Sequence, residues 1–161
     1  MEKPIRELTI TRTFDAPREL VWKAWTDQEL VRKWWGPQGV TNPTCVWEAR
    51  TDGKIDIVML AGKELGPAAG MRWPMNGAFR EVTPQSRLVF TSNAIDDNQE
   101  ALLENVVTVD LQDMGGKTKM TIHIAVTKAV PGKTENMLGG MAAGWNQQTD
   151  KLVAMVNGME K

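Results

Sequence analysis

Two tryptophan-bearing blocks near the N-terminus constrain this chain most. The first reads Phe14-Asp15-Ala16-Pro17, then Val21-Trp22-Lys23-Ala24-Trp25; the second reads Leu30-Val31-Arg32-Lys33-Trp34-Trp35-Gly36-Pro37. Leu20, Val21, Ala24 and Trp25 form an i, i+1, i+4, i+5 stripe, the mark of one short helix. Asp15 or Ala16 can cap it, and Pro17 suits its first turn. Thr26-Asp27-Gln28-Glu29 matches a capping box for a second helix, which Gly36-Pro37 stops. Helices this short do not stand alone in water. They need a larger body to wedge against, and the rest of the chain must supply it.

That body announces itself by a change of period. Residues 5–14 alternate, with Leu8, Ile10 and Phe14 on one parity and Thr9, Thr11 and Thr13 on the other. Arg12 shares the apolar parity, so it needs a carboxylate such as Glu48 or an acidic ligand. From about 43 to 128 the period stays at two. Cys45 and Trp47 lead a strand that turns at Thr51-Asp52-Gly53, and Ile55, Ile57 and Met59 share a face of the next. Residues 62–70 read as a flexible connection and a natural gate. Met71, Trp73, Met75 and Phe79 follow on one parity, then Leu88 and Phe90. Leu103, Val107, Val109 and Leu111 come next; after a turn at Gly115-Gly116, Met120, Ile122, Ile124 and Val126 complete the set. Short turns between consecutive strands predict a strongly curved antiparallel sheet. Pro131-Gly132 breaks it, and Thr134 can cap a final helix of roughly 22 residues. Met137, Met141, Trp145, Gln148, Leu152 and Met155 lie on one stripe of that helix. Gly139, Gly140 and Gly144 each cost it about 1 kcal/mol relative to alanine. They serve either close approach to the sheet or room for a guest.

Composition narrows the function classes. A chain of 161 residues can bury a real core and reads as one domain, 1–161. Its formal charge is −1, so no charge excess favours nucleic acid or an anionic membrane. No apolar run approaches the 18 or so residues of a membrane span. Met1-Glu2-Lys3-Pro4 lacks the apolar stretch of a secretory signal, and a single cysteine, Cys45, fits a reducing cytoplasmic setting. Seven Trp and ten Met against no Tyr suit an interior that lines space as well as filling it.

The order of one strand, two small helices, six strands and a long helix is that of a helix-grip α+β fold. The motif residues are Phe14-x-Ala16-Pro17-x-x-x-Val21-Trp22-x-Ala24-Trp25-Thr26, Glu29-Leu30 and Trp34-Trp35-Gly36-Pro37. Further along come Gly53-Lys54, Gly77-x-Phe79-Arg80-Glu81-Val82-x-Pro84, Arg87-Leu88-Val89-Phe90-Thr91, Gly116-x-Thr118 and Gly144-Trp145. Together they resemble the SRPBCC, or START-like, superfamily, and within it the branch named for the activator of the heat-shock-protein-90 ATPase. The resemblance implies a seven-stranded antiparallel sheet gripping the C-terminal helix, with an apolar cavity between them. It also implies a range of roles: lipid carriers, polyketide cyclases, hormone receptors and co-chaperone domains. Thr149 stands where the family usually has leucine, making the helix more polar near the pocket. The eukaryotic co-chaperone carries a further N-terminal domain for which this chain has no room, which counts against direct chaperone activation.

Trp35, Trp73, Met75, Phe79, Phe90, Met141 and Trp145 are the apolar residues expected around a ligand cavity, with Asn105 and Gln148 as polar residues on the same faces. A packed core is the competing expectation for the aromatics, and backbone or water partners for the two amides. Trp34 is expected under the sheet edge and Trp35 at the pocket mouth. His123 falls on the Thr121/Ala125 parity, facing out, and Cys45 on a buried parity without a base, so neither reads as catalytic. One His and one Cys far apart match no metal spacing, and no cofactor is expected. The leading expectation is a module binding a small hydrophobic or amphipathic molecule. A stress-related, chaperone-binding domain and a cyclase- or hydrolase-like enzyme are the alternatives, and a homodimer through a sheet edge or the helical block is compatible with the pattern.

Overall fold

In the computed structural model, residues 4–159 are described. The reading of Met1–Lys3 as free of a secretory leader lies outside them. Strand β1 (Arg6–Phe14) leads into α1 (Arg18–Thr26) and α2 (Gln28–Trp34). Six strands follow: β2 (Val40–Trp47), β3 (Lys54–Ala61), β4 (Arg72–Thr83), β5 (Arg87–Ile95), β6 (Ala101–Asp113) and β7 (Thr118–Ala129). Helix α3 (Glu135–Asn157) is the last element among the described residues. The seven strands form one antiparallel sheet in the order β1-β7-β6-β5-β4-β3-β2. Strands β2 to β7 each pair with the next in sequence, as consecutive elements commonly do, including β3 and β4 across the longer 62–71 connection. The exception is β1, which closes on β7, so α1 and α2 carry the chain from one edge of the sheet to the other.

Register shifts occur at Thr41/Thr44, Phe79/Glu81, Ala94/Ile95 and Glu104/Asn105. Bulges of this kind add twist and bend the strands. The inner face carries Phe14, Trp47, Ile57, Phe79, Phe90, Val107, Ile122 and Ile124, all buried in one contiguous cluster with Leu152 and Val156 of α3. The short helices join the same cluster through Val21, Ala24, Trp25, Val31 and Trp34. The apolar stripe read from the sequence is therefore the wedge that holds them.

Several local expectations give way to specific alternatives. Pro17 is not in the first turn of α1; it precedes it with an extended ψ of 159°, its carbonyl accepting from Leu20 and Val21. The Thr26 capping box does not form, because the Thr26 hydroxyl donates back to the Trp22 carbonyl at 2.8 Å. Asp27 caps α2 instead, its carboxylate accepting from the Glu29 N–H at 2.9 Å. Thr134 occupies the N-cap position of α3, but its hydroxyl donates to the Val130 carbonyl. The Glu135 carboxylate accepts from the Gly132 and Thr134 N–H groups in its place. Those bonds hold this exposed carboxyl below the usual range, the Gly132 N–H contributing most.

The 62–70 connection carries local turn structure. Lys63–Ala68 wind as two 3-10 turns broken at Gly66 (φ 57°). Bonds from Gly62 N to Gly39 O (2.7 Å) and Gly70 N to Ala61 O (2.8 Å) pin both ends. Arg12 pairs with Asn146 (2.8 Å) and Asp150 (3.2 Å) of α3, not with Glu48. The reason is topological: β1 and β2 are opposite edges of the sheet, and Glu48 just past β2 folds back onto Arg50 and the Lys54 N–H.

Candidate functional site

Trp35 is the hinge between the packed core and open space. It is 3 % exposed and sits 5.2 Å from Trp47, 6.3 Å from Phe90 and 5.8 Å from Trp145, ring centre to ring centre. Behind it, Trp47 meets Phe79 and Phe90 edge-on at 5.1 Å each. Edge-to-face contacts of this kind add about 0.5–1.5 kcal/mol per pair beyond area burial. Trp34 packs at 4.7 Å against Trp25 and donates its indole N–H to the Ala24 carbonyl.

The backbone following Trp35 is stapled to α3. Gly36 N–H donates to Gln148 Oε1 at 2.8 Å, and Gln38 N–H to Gln147 Oε1 at 3.0 Å. The Lys151 ammonium reaches the Trp35 and Pro37 carbonyls at 3.4 and 3.3 Å. Desolvation pushes this amine below the ordinary lysine range. Gly36 has φ 89°, and a Cβ there would lie 2.4 Å from Val40 Cγ2, so only glycine allows the turn. Asn42 closes the end of α2 by donating to the Arg32 and Trp35 carbonyls.

In front of this framework lies a cavity of about 770 Å³. Its walls come from the sheet (Met59, Trp73, Met75, Ser92, Ala94, Ile95, Leu103, Asn105), from the first half of α3 (Met137, Gly140, Met141, Gly144, Trp145) and from Gln148 just beyond it. Trp35 and Pro37 close one side, and exposed Arg72, Asp97 and Lys133 stand at its border. An engineered apolar void of about 150 Å³ can stay dry. A partly open space several times larger is filled by water or by a guest. Its size falls within the roughly 300–1,000 Å³ of small-molecule pockets.

The glycines of α3 are decided by this geometry. A Cβ at Gly140 or Gly144 would meet nothing within 4 Å. They do not bring the helix close to the sheet; they leave space. Two amides face that space differently. Gln148 is 6 % exposed, and its oxygen is engaged by Gly36. Asn105 is 9 % exposed, and its Oδ1 has no hydrogen-bond partner among the described residues. A buried acceptor left unmade costs about 1–3 kcal/mol. Ser92, directly opposite Asn105 on β5, has only a 3.9 Å contact to Met75 Sδ for its hydroxyl.

Of the residues expected around a cavity, Trp35, Trp73, Met75, Asn105, Met141, Trp145 and Gln148 border it. Phe79 and Phe90 do not; they are sealed in the aromatic stack behind Trp35. Trp35 forms an inner wall rather than the rim. Residues 62–70 do not border the cavity, so they are not its gate. Ser92 shares its parity with Phe90 and was within reach of sequence reasoning. Arg72, Lys133 and Asn136 were not, since their place depends on where α3 crosses the sheet. The two reactive side chains lie elsewhere. His123 pairs with Glu7 at 2.9 Å on the outer face. Cys45 is buried beside Gln28, and desolvation pushes its thiol up to about 11.

A family model described as Activator of Hsp90 ATPase homolog 1-like protein matches residues 15–157. Among solved structures, protein CV1439 from Chromobacterium violaceum is similar at TM-score 0.78 and 23 % identity, over 95 % of this chain and 98 % of that one. Protein NE0264 from Nitrosomonas europaea gives 0.70 and 25 %, over 93 % of each chain. The AHSA1 protein from Silicibacter pomeroyi gives 0.75 and 23 %, over 94 % and 97 %. No functionally curated protein gives a match.

Proposed function

For a chain that belongs to the family of Activator of Hsp90 ATPase homolog 1-like proteins, we propose a binding role: it holds a small hydrophobic or amphipathic molecule between the sheet and the first half of α3. The observation that supports this reading is the cavity of about 770 Å³ beside a contiguous buried core. Its Trp and Met walls suit an apolar body of varied shape. Cys45 and His123 do not border it: the thiol is buried beside Gln28 and the imidazole pairs with Glu7 on the outer face. That distribution favours holding a molecule over transforming one. A cytosolic setting goes with this reading; among the described residues no helix is long and apolar enough to cross a membrane.

The family name also raises a chaperone-binding role on the outer surface. The large apolar side chains exposed there (Ile5, Met71, Met114 and Met137) come from separate parts of the chain, and Met137 already belongs to the cavity wall. The interior reading is therefore preferred. Thermal-shift measurements with lipids, fused aromatics and medium-chain amphipaths test it. A binder in excess raises Tm by mass action. If all three classes leave Tm unchanged while a chaperone titration gives a saturable signal, the role belongs to the exterior.

A further inference from the structure

Resting on the cavity reading above, we infer that Met137 is an oxidation site that controls occupancy of the cavity: a hydroperoxide converts its thioether to the sulfoxide, and the guest is released. Three features meet at this residue. Met137 borders the cavity from the first turn of α3. It is 37 % exposed, whereas Met141 and Met75 in the same walls are 9 % and 4 % exposed. The half-exposed Met71 and Met114 do not border the cavity. Among the described residues, Met137 is therefore the methionine that an oxidant in solvent and a guest in the cavity can both reach. Susceptibility to oxidation follows exposure.

Thiol chemistry does not compete with it. Cys45 is buried beside Gln28, and desolvation pushes its thiol up to about 11, which keeps it in the unreactive protonated form. A thioether needs no ionisation. Its sulfur lone pair attacks one oxygen of the hydroperoxide and the O–O bond breaks. The displaced oxygen takes the proton of the transferred one and leaves as water or alcohol, so sulfur is oxidised by two electrons and the peroxide reduced by two. The wall makes this change count. In the first half of α3, Gly140 and Gly144 border the cavity without a side chain. Met137, Met141 and Trp145 are the apolar side chains that this half offers a guest. A sulfoxide is polar, so it withdraws one of those three apolar contacts.

Treatment with hydrogen peroxide, removed afterwards by catalase, followed by titration with the neutral fluorescent probe N-phenyl-1-naphthylamine tests this. Wild type should lose about tenfold in affinity, the worth of most of one methionine's apolar contact. Peptide mass spectrometry should find Met137 oxidised before Met141 and Met75, and saturating probe should slow it about fivefold or more while leaving Met71 and Met114 unprotected. Met137→Leu, whatever its own starting affinity, should change by less than about twofold on the same treatment, since leucine offers similar volume and no sulfur. A methionine sulfoxide reductase with its dithiol should restore the oxidised wild type. An affinity unmoved once Met137 is fully oxidised overturns the switch and leaves the cavity reading standing. An equal loss in Met137→Leu also overturns it, because the effect then lies at another side chain. Failure of the untreated protein to take up the probe overturns the switch and the cavity reading together. The wild-type oxidation and protection measurements decide the matter even if Met137→Leu does not fold.

Discussion

From Gln148 to Val156, helix α3 meets the sheet with Gln148, Thr149, Leu152 and Val156 buried; from Glu135 to Gly144 only Met141 is buried, and Met137 is 37 % exposed. Both halves belong to one helix of 23 residues. The second half is clamped by Arg12 to Asn146 and Asp150, and by Gln147, Gln148 and Lys151 to the backbone after Trp35. The first half has glycine where a packed helix would place larger side chains. The first half is tied as well, the Arg6 guanidinium of β1 donating to the Leu138 carbonyl, so the helix is held on both sides of the stretch that stands over the hollow. A hollow that large survives in a folded protein because the helix over it is held from beyond it.

The most severe way to break the contrast is Leu152→Ala in the anchored half. Its side chain is fully buried, so truncation should cost about 3 kcal/mol, within the 2–5 found for such changes. Urea unfolding measures it, and a cost below 1 kcal/mol would mean the two halves are equally loose. Filling the hollow comes next. Gly144→Leu should leave the protein folded but remove the Tm rise that a lipid, fused aromatic or medium-chain amphipath gives with the wild type; a retained rise would place the guest elsewhere.

A milder change sharpens the same comparison. Gly140→Ala and Gly144→Ala should each stabilise the ligand-free protein by up to about 1 kcal/mol, since the added methyl meets open space and alanine favours the helix. Destabilisation by either would show that the helix lies closer to the sheet than described. The smallest effect is a pH dependence in the anchored half. Burial lowers the amine of Lys151 below its ordinary value near 10.5. Between the lowered value and 10.5 the unfolded chain binds more protons than the folded one, so stability rises with pH through that window and is flat well below it. Lys151→Met should lack the rise, and parallel stability curves for the two proteins would dismiss it.

Strand alternation made the inner face legible before any coordinates. Leu103, Asn105, Val107 and Val109 share a face because side chains alternate, whatever the neighbouring strands do. The same rule put His123 outside. It failed where an outcome depends on a choice between local partners: Thr26 could bond backward or forward, and it bonds back to Trp22. It also failed for Phe79 and Phe90, because parity tells which way a side chain points and not whether space lies in front of it. Arg12 shows the third limit, a partner chosen by which sheet edge carries which strand.

The order of one strand, two wedge helices, a run of antiparallel strands and a long closing helix was written in the chain, since each period is set by residues within a few positions of one another. The tertiary structure alone decided that the glycines of α3 leave room instead of closing it, and that Asn105 Oδ1 lacks a hydrogen-bond partner among the described residues. Both depend on how far α3 stands from the sheet. That distance is set by contacts such as Gln148 to Gly36, 112 residues apart, which no local pattern encodes.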